Sequence, residues 1–209
     1  MKISSSIASS DILRIGEEVR FANHYFDDIH LDVADGIAVG EISFGFKMCS
    51  RICELAAVPV SLHLEVSNPL QYVEQVKECD FDIVFIQIGC LKNAKEVVRI
   101  YQENQIPTGI NLSNLDLGRE ELGELLGMTE HVLINTTCHN DVQQRLRMDM
   151  LDYSVRLADE TPHKVWVDGA ISWEIAHRLR ESDIYAAVMG RAIFLDRDKA
   201  VENKKNLYQ

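Results

Sequence analysis

Short β-rich runs recur along the chain at nearly constant spacing, and this periodicity restricts the fold more than any other feature. The runs that we predict as strands begin near Lys2, Asp28, Val60, Asp82, Pro107, His131, Lys164 and Tyr185. Their starts lie about 26 residues apart on average, which is enough for one strand, one helix and two short connections. Runs such as 83–86 are apolar throughout, as in parallel sheets covered on both faces.

Segments of helical character follow the strands. Three of them have bounds that the sequence suggests: residues 11–25 behind a Ser10 cap, residues 70–79 behind Asn68 and Pro69, and residues from about 143 to 158. The last segment carries an apolar stripe at helical spacing, formed by Leu146, Met150, Tyr153 and Leu157. Strands and helices therefore alternate along the whole chain.

Eight such repeats within 209 residues predict an α/β protein, a single (β/α)8 TIM barrel that occupies residues 1–209 as one domain. The alternative is a doubly wound open sheet with fewer strands. No GxGxxG sequence follows the first strand, so the dinucleotide-binding form of that alternative has no support.

The charge balance and the cysteine content restrict the expected binding partners and the expected cellular compartment. The chain has 33 acidic residues against 21 Lys plus Arg, a net charge of −12, which argues against nucleic acid as a partner. Its longest stretch without a charge, residues 104–115, is polar and contains Pro107, so no membrane segment is predicted. The start lacks a signal-peptide pattern, and five cysteines without a CxxC pair are typical of reduced thiols. We therefore predict a cytoplasmic protein.

Ionisable side chains stand where barrel strands should end, at the face that carries active sites. His30 and Asp32 alternate in the second strand and share one face, His63 is near the end of the third, and Asp168 precedes Gly169 after the seventh. Each has an ordinary explanation, as a buried polar pair, a hydrogen-bonded core histidine or a turn residue. Together they could converge on one metal ion.

These residues lie in segments that resemble the ribulose-phosphate 3-epimerase family. Residues 29–36 (IHLDVADG), continued by 42–45 (ISFG), resemble that family's HLDVMDG and following (T/S)FG. Further similar segments are the opening around Ser5 and Ser6, the strand with His63, residues 168–171 (DGAI) and residues 190–194 (GRAIF). The resemblance runs in order from Lys2 to about Phe194.

The resemblance implies a metal-dependent barrel that inverts C3 of a ketose phosphate. It makes His30, Asp32, His63 and Asp168 the ligands of one divalent ion, for which Zn, Mn, Fe or Co are candidates. Asp32 and Asp168 are then also the catalytic pair, since epimerisation needs an acid–base group on each face of the carbon. The substrate-binding residues are expected to be Ser6, Gly169, Ala170, Gly190 and Arg191. The expected partners are a small-molecule sugar phosphate and further copies of this chain in a homo-oligomer.

Two departures from the family pattern leave alternatives open. Ala34, Glu65 and Asn135 stand where the family has methionines, and Glu65 points either into the active-site cavity or away from it. The segment 136–144, which includes the acidic Asp141, replaces a glycine-rich phosphate-binding loop. Arg191 either contacts phosphate instead or pairs with a nearby acid, Asp196 or Asp198.

Two other functions compete with epimerisation. A catalytically retired barrel could bind a metal or sugar in a regulatory role, which the altered segment 136–144 suggests. A sugar-phosphate lyase or decarboxylase would need a lysine among the carboxylates at the strand ends. Neither Lys47 nor Lys164 is expected at such a position, so that alternative is the weakest.

Overall fold

The computed structural model describes residues 1–138 and 143–208 and contains a closed barrel of eight parallel strands in the order β1 to β8. The strands are β1 (Lys2–Ser6), β2 (Asp28–Ala34), β3 (Val60–Glu65), β4 (Ile83–Gln87), β5 (Thr108–Leu112), β6 (His131–Asn135), β7 (Lys164–Asp168) and β8 (Ala186–Met189). The predicted (β/α)8 TIM barrel is confirmed, and every strand begins within one residue of its predicted start.

Helices follow each strand around the outside of the barrel. They are α1 (Ile15–Tyr25), α2 (Phe46–Leu55), α3 (Val73–Cys79), α4 (Ala94–Glu103), α5 (Leu122–Met128), α6 (Met148–Glu160), α7 (Trp173–Leu179), α8 (Arg191–Phe194) and α9 (Arg197–Leu207). Within the described residues no helix combines the length and the apolar composition that crossing a bilayer requires. The assignment of residues 1–209 to one domain stays a prediction.

All three predicted helix starts are too early. Short 3-10 turns, Ile12–Arg14 and Pro69–Tyr72, precede α1 and α3. Ser10 is not an N-cap as predicted; Asp11 caps the Ile12–Arg14 turn instead, since its carboxylate accepts from the Leu13 amide. Asn68 makes no capping hydrogen bond, and α6 begins at Met148 rather than near residue 143.

Side chains alternate between the two faces of each strand and so form two separate apolar regions. One face packs outward against the helices in the main core, and the other fills the barrel with a smaller cluster: Ile83, Phe85, Leu133, Trp166, Ala186 and Val188. This interior cluster lies below the carboxyl ends of the strands. Above it the inward positions become polar, and the candidate site begins there.

The two ends of the described chain meet at the barrel. β1 pairs with β8, and α9 packs beside α1, where Arg197 binds the buried carboxylate of Glu18. Lys204 of α9 also binds Asp27 at 2.7 Å, next to the start of β2. The last helix is therefore tied to α1 and to the residue that precedes β2.

Candidate metal and catalytic site

Four side chains converge at the carboxyl ends of β2, β3 and β7. They are His30 and Asp32 on β2, His63 on β3 and Asp168 at the end of β7, and each offers one donor atom within 4.8 Å of the others. The register explains the meeting, because Asp32 lies directly beside His63 on the neighbouring strand. β7 is three strands away from β2 around the barrel, through β8 and β1. The structure thus brings together the four residues selected from the sequence.

Hydrogen bonds fix which nitrogen of each histidine faces the cluster. Nδ1 of His30 lies 2.8 Å from the Ser61 hydroxyl, which leaves Nε2 directed to Asp32. Nε2 of His63 lies 3.1 Å from Oε1 of Gln87, which leaves Nδ1 directed to Asp32. Both histidines are completely buried, so their rings are held by these partners and by packing.

The donor set fits a divalent cation. Nε2 of His30 and Nδ1 of His63 are buried nitrogens that have no hydrogen-bond partner among the residues that the structure describes, and each lies 3.5 Å from Oδ1 of Asp32. That separation is too long for a good hydrogen bond, but neighbouring ligands of a tetrahedral zinc ion with bonds of ~2.1 Å lie about 3.4 Å apart. Two imidazoles and two carboxylates are donors that borderline metals such as Zn²⁺ accept.

The charges in this cluster depend on one another. Burial alone would raise the pKa of Asp32, but His30 and His63 outweigh it and hold the pKa well below its usual range. Burial and the nearby Asp32 carboxylate raise the pKa of Asp168. Burial alone would lower the pKa of His63, yet Glu65 and Asp32 raise it to about 9. The carboxylates therefore require positive charge beside them.

A cavity of about 750 Å³ opens above the cluster. Glu65 lines it, and only 14% of its side chain is exposed, so the interpretation that Glu65 points away from the cavity is wrong. Ala34 and Asn135 line the same space. Burial raises the pKa of Glu65 to about 7, although His63 opposes that shift. Of the three positions that hold methionine in the resembled family, Glu65 and Asn135 thus make this cavity more polar.

The turn after β7 brings backbone close to the cavity. Gly169 has φ +107° and Ala170 has φ +56°, and both line the space above Asp168. A side chain at Gly169 would place its Cβ 2.8 Å from Cγ2 of Thr137, so only glycine fits there. Thr136 also donates its amide to the Asp168 carbonyl at 2.6 Å, which ties the β6 loop to this turn.

The loop after β8 contributes the other predicted substrate-binding residues. Gly190 and Arg191 line the cavity, and Arg191 is exposed and forms no ion pair within the described residues. Pairing of Arg191 with Asp196 or Asp198 is therefore wrong; Asp196 instead caps α9 through the Lys199 amide. The Arg191 side chain is therefore available to the cavity. The helix that it begins, α8, is a single turn, so its dipole adds little positive potential there.

The remaining predicted and competing residues have clear positions. Ser6 lines the cavity and donates its hydroxyl to Oδ2 of Asp32 at 3.1 Å. Lys164 lies at the opposite end of β7 and pairs with Glu130, and Lys47 lies exposed on α2, so neither is at the cavity. Asp141, the acidic residue of the altered loop, lies outside the described residues.

Sequence reasoning missed the polar residues that hold the two histidines. Ser61 and Asp28 form a buried chain behind His30, and Gln87 lies behind His63. Burial raises the pKa of Asp28 to about 6, although hydrogen bonds from Ser4 and Ser61 oppose the shift. A usable signal existed, because Asp28 and Ser61 each lie two residues before a predicted ligand and so share its face.

Fold and site together define a class: (β/α)8 barrels with a His2Asp2 donor set and a deep polar cavity at the carboxyl ends of the strands. The model of the ribulose-phosphate 3-epimerase family matches residues 2–194, and the chain belongs to this family. A ribulose-phosphate 3-epimerase from Helicobacter pylori is 24% identical, with 100% of this chain and 99% of the relative covered. One from Bacillus subtilis is also 24% identical, with 96% of each covered. An isomerase of the epimerase type, as predicted, is confirmed at the level of the family.

Solved structures with similar folds include those of other enzymes. The 3-hexulose-6-phosphate synthase from Salmonella typhimurium gives a TM-score of 0.74 at 15% identity, with 99% of this chain and 98% of that chain covered. A structure of KGPDC from Streptococcus mutans gives 0.73 at 12% identity, with 99% and 96% covered. At such low identity these similarities support the barrel fold alone.

Proposed function

We propose that this protein is a metal-dependent epimerase that inverts C3 of a ketose phosphate, either ribulose 5-phosphate or a related sugar. The observation that carries the proposal is the meeting of two half-buried aspartates with two buried histidines at the floor of the cavity. Within the described residues, the histidine nitrogens that face the aspartates have no hydrogen-bond partner. A retired site would have no physical reason to keep this donor set. Family membership supports the reaction class.

The reaction needs one acid–base group on each face of the substrate carbon. One aspartate, as the carboxylate, takes the proton from C3, and the electron pair of the broken C–H bond forms an enediolate with C2. The other aspartate, as the acid, donates a proton to the opposite face of C3. Asp32 and Asp168 come from different sides of the barrel mouth, and Ser6 orients Asp32 through its Oδ2.

His30, Asp32, His63 and Asp168 would hold the divalent ion, which supplies Lewis acidity to the substrate oxygens that become negative. Gln87 and Ser61 keep the two imidazoles turned towards that position. The buried side chains around the cluster, such as His30 and His63, lower the local dielectric constant and so strengthen electrostatic contacts there. Zn, Mn, Fe and Co all suit this donor set.

The phosphate is proposed to lie at the rim of the cavity, away from the four-residue cluster. Arg191 supplies the positive charge, and the backbones of Gly169, Ala170 and Gly190 allow close approach. At the reacting end, Glu65 and Asn135 offer polar atoms to sugar hydroxyl groups in place of an apolar wall. This polarity supports a ketose phosphate that presents an additional hydroxyl group there.

Exchange with heavy water tests the reaction directly. The metal-loaded protein is incubated in D2O with ribulose 5-phosphate and a panel of other ketose phosphates, and deuterium at C3 is followed by NMR. We expect incorporation at C3 of at least one sugar. The absence of exchange in every sugar, from protein shown to contain metal, would contradict the proposal and favour the retired barrel.

Asp32→Asn and Asp168→Asn test the acid–base pair. Each variant should lose turnover by ~10³-fold or more, because an amide cannot transfer the proton on its face of the carbon. Asp152→Asn, a change on α6 outside the cavity lining, serves as the matched control and should keep wild-type kcat. Normal turnover in either active-site variant would remove that residue from the reaction.

A further inference from the structure

A buried chain of polar side chains leads away from the metal cluster into the barrel wall. The Ser61 hydroxyl lies 2.8 Å from Nδ1 of His30 and 2.7 Å from Oδ1 of Asp28. The Ser4 hydroxyl donates to the same carboxylate oxygen. Exposure is 0% for Ser4, His30 and Ser61 and 2% for Asp28, so water cannot replace these contacts.

The order of donors and acceptors in this chain fixes the state of His30. Both serine hydroxyls donate to the same oxygen of Asp28, so the Ser61 proton points to that carboxylate and not to His30. The Ser61 oxygen then has only lone pairs to offer to Nδ1, and Nδ1 must carry the ring proton. In the neutral imidazole, which is the form that binds a metal, Nε2 is then the unprotonated nitrogen. It faces Asp32 at 3.5 Å and has no hydrogen bond within the described residues.

We infer that Asp28 and Ser61 form a positioning relay that presents Nε2 of His30 to the metal, an inference that rests on the metal site of the proposed function. Asp28 is separated from the ligand atom by a serine and an imidazole, so it acts through them and touches no substrate. A carboxylate behind a ligand histidine orients the ring and raises its basicity. Here Ser61 carries that influence from Asp28 to the ring.

The relay also explains how the carboxylate of Asp28 can be buried without a large cost in free energy. A buried carboxylate has to be compensated by hydrogen bonds, and Asp28 receives them from the β1 and β3 serines on either side of β2. The apolar residues of the main core pack on the outer face of the barrel and offer it no hydrogen bond. The carboxylate thus connects three adjacent strands below the ligands.

Zinc affinity measured by competition with a chromophoric chelator tests the relay. Ser61→Ala should weaken Zn²⁺ binding by about 10- to 100-fold, the range found for residues behind metal ligands. Asp28→Asn should weaken it by about 10-fold. Ser5→Ala is the matched control, because Ser5 is equally buried but donates to the backbone carbonyl of Asp28 at 2.9 Å. Its Zn²⁺ affinity should stay within about threefold of the wild type.

The double variant separates a relay from a general loss of packing. If Asp28 acts through Ser61, Asp28→Asn has no further effect on Zn²⁺ affinity when Ser61→Ala is already present. A urea unfolding curve of each variant, recorded in EDTA, tests whether the metal-free barrel is folded before the denaturant is added. Independent additive effects, an equal loss in Ser5→Ala, or wild-type affinity in Ser61→Ala would each overturn the inference.

The same titrations distinguish failure of the relay from failure of the proposed function. A wild type that binds no Zn²⁺, Mn²⁺, Fe²⁺ or Co²⁺ overturns the metal site and the relay together. A wild type that binds Zn²⁺ and exchanges deuterium at C3, beside a Ser61→Ala variant of unchanged affinity, overturns the relay alone.

Discussion

The two histidines of the cluster use opposite ring nitrogens. His30 presents Nε2 because Ser61 holds Nδ1, and His63 presents Nδ1 because Gln87 holds Nε2. The two histidines lie on neighbouring strands. If both rings presented the same nitrogen, the two nitrogens would face different positions. The residues behind the rings therefore matter as much to the geometry of the site as the histidines themselves.

Replacing Gln87 tests this dependence for His63. In Gln87→Leu the buried Nε2 loses its acceptor, so we expect about 10-fold weaker Zn²⁺ binding and a loss of about 1–3 kcal/mol in the free energy of unfolding. Gln102→Leu is the control, since Gln102 is an exposed glutamine that donates to the Met128 carbonyl. Unchanged Zn²⁺ affinity in Gln87→Leu would show that the ring is held by packing alone.

At the residue scale, the sequence predicted the four cluster residues but not the side chains that support them. His30, Asp32, His63 and Asp168 stand in motifs and at strand ends, where polar residues point to chemistry. Ser61 lies two residues before His63 and shares its face, but it holds His30 on the neighbouring strand. Gln87 lies in an apolar strand, where a single glutamine has no distinctive pattern. Their roles depend on which strands become neighbours, and that is a property of the closed barrel.

At the element scale, strands were predictable because buried parallel strands are continuous apolar runs bounded by polar residues. Helix starts were not predictable, because several residues near each start could cap the helix. Asp11 took the capping role expected of Ser10, and Pro69 opened a 3-10 turn rather than an α-helix. Both choices are decided by backbone angles that the sequence pattern does not specify.

The loop after β8 depends on close contact with the loop after β1. A Cβ at Gly190 would collide with Oγ of Ser9 and lie 2.7 Å from its Cβ. Gly190→Ala should therefore lower the free energy of unfolding by about 1–3 kcal/mol, measured in urea. Adding Ser9→Gly should restore at least half of the loss. Gly118→Ala, at a position with no atom within 4 Å, is the control and should change stability little.

The contact between α1 and α9 includes a buried charge. Glu18 is 1% exposed and is bound by Arg197, which also lies over the Phe21 ring. Arg197→Met should cost about 2–3 kcal/mol in the free energy of unfolding, because it leaves the carboxylate buried and unpaired.

Two further variants check the cause of that loss. Arg197→Met combined with Glu18→Leu should recover most of the stability, since no buried charge remains. Arg51→Met, which breaks the exposed pair with Glu54, should change stability by less than about 1 kcal/mol. Equal losses in Arg51→Met and Arg197→Met would contradict the importance of burial.

At the scale of the whole molecule, one group far from the cavity, His131, makes the free energy of unfolding sensitive to acid. At the amino-terminal end of the barrel, Nδ1 of His131 accepts a hydrogen bond from Trp166 at 3.1 Å. Burial and Lys164 lower the pKa of His131 to about 4, with Lys2 acting in the same direction and Glu130 against it. The unfolded chain binds a proton at this ring near pH 6.5, so folding is favoured above that pH.

Stability should consequently fall as the pH is lowered from 6.5 to 4. The contribution of His131 is about 1 kcal/mol, since the ring is partly exposed and solvent screens its charge. Urea unfolding at several pH values should give a steeper decline for the wild type than for His131→Gln in this window. Parallel curves for the two proteins would exclude His131 as a cause.

The net charge of −12 opposes the approach of an anionic sugar over the whole surface. We expect kcat/KM for the ketose phosphate to rise about two- to threefold between 10 and 150 mM salt, because added ions screen this repulsion. A decrease with salt would instead show that attraction by Arg191 dominates the encounter. Association into a homo-oligomer and a cytoplasmic location stay predictions; sedimentation of the purified protein tests the first.

The separation of the cluster along the chain has a consequence for how the protein is made. His30, Asp32 and His63 leave the ribosome early, but Asp168 is added 105 residues after His63. At about 5–20 residues per second, that delay lasts roughly 5–20 s. β8, which completes the barrel by pairing with β1, comes later still. During this interval the nascent chain carries three of the proposed metal ligands without the fourth, so the complete donor set that would select a cation exists only after β7 has been made.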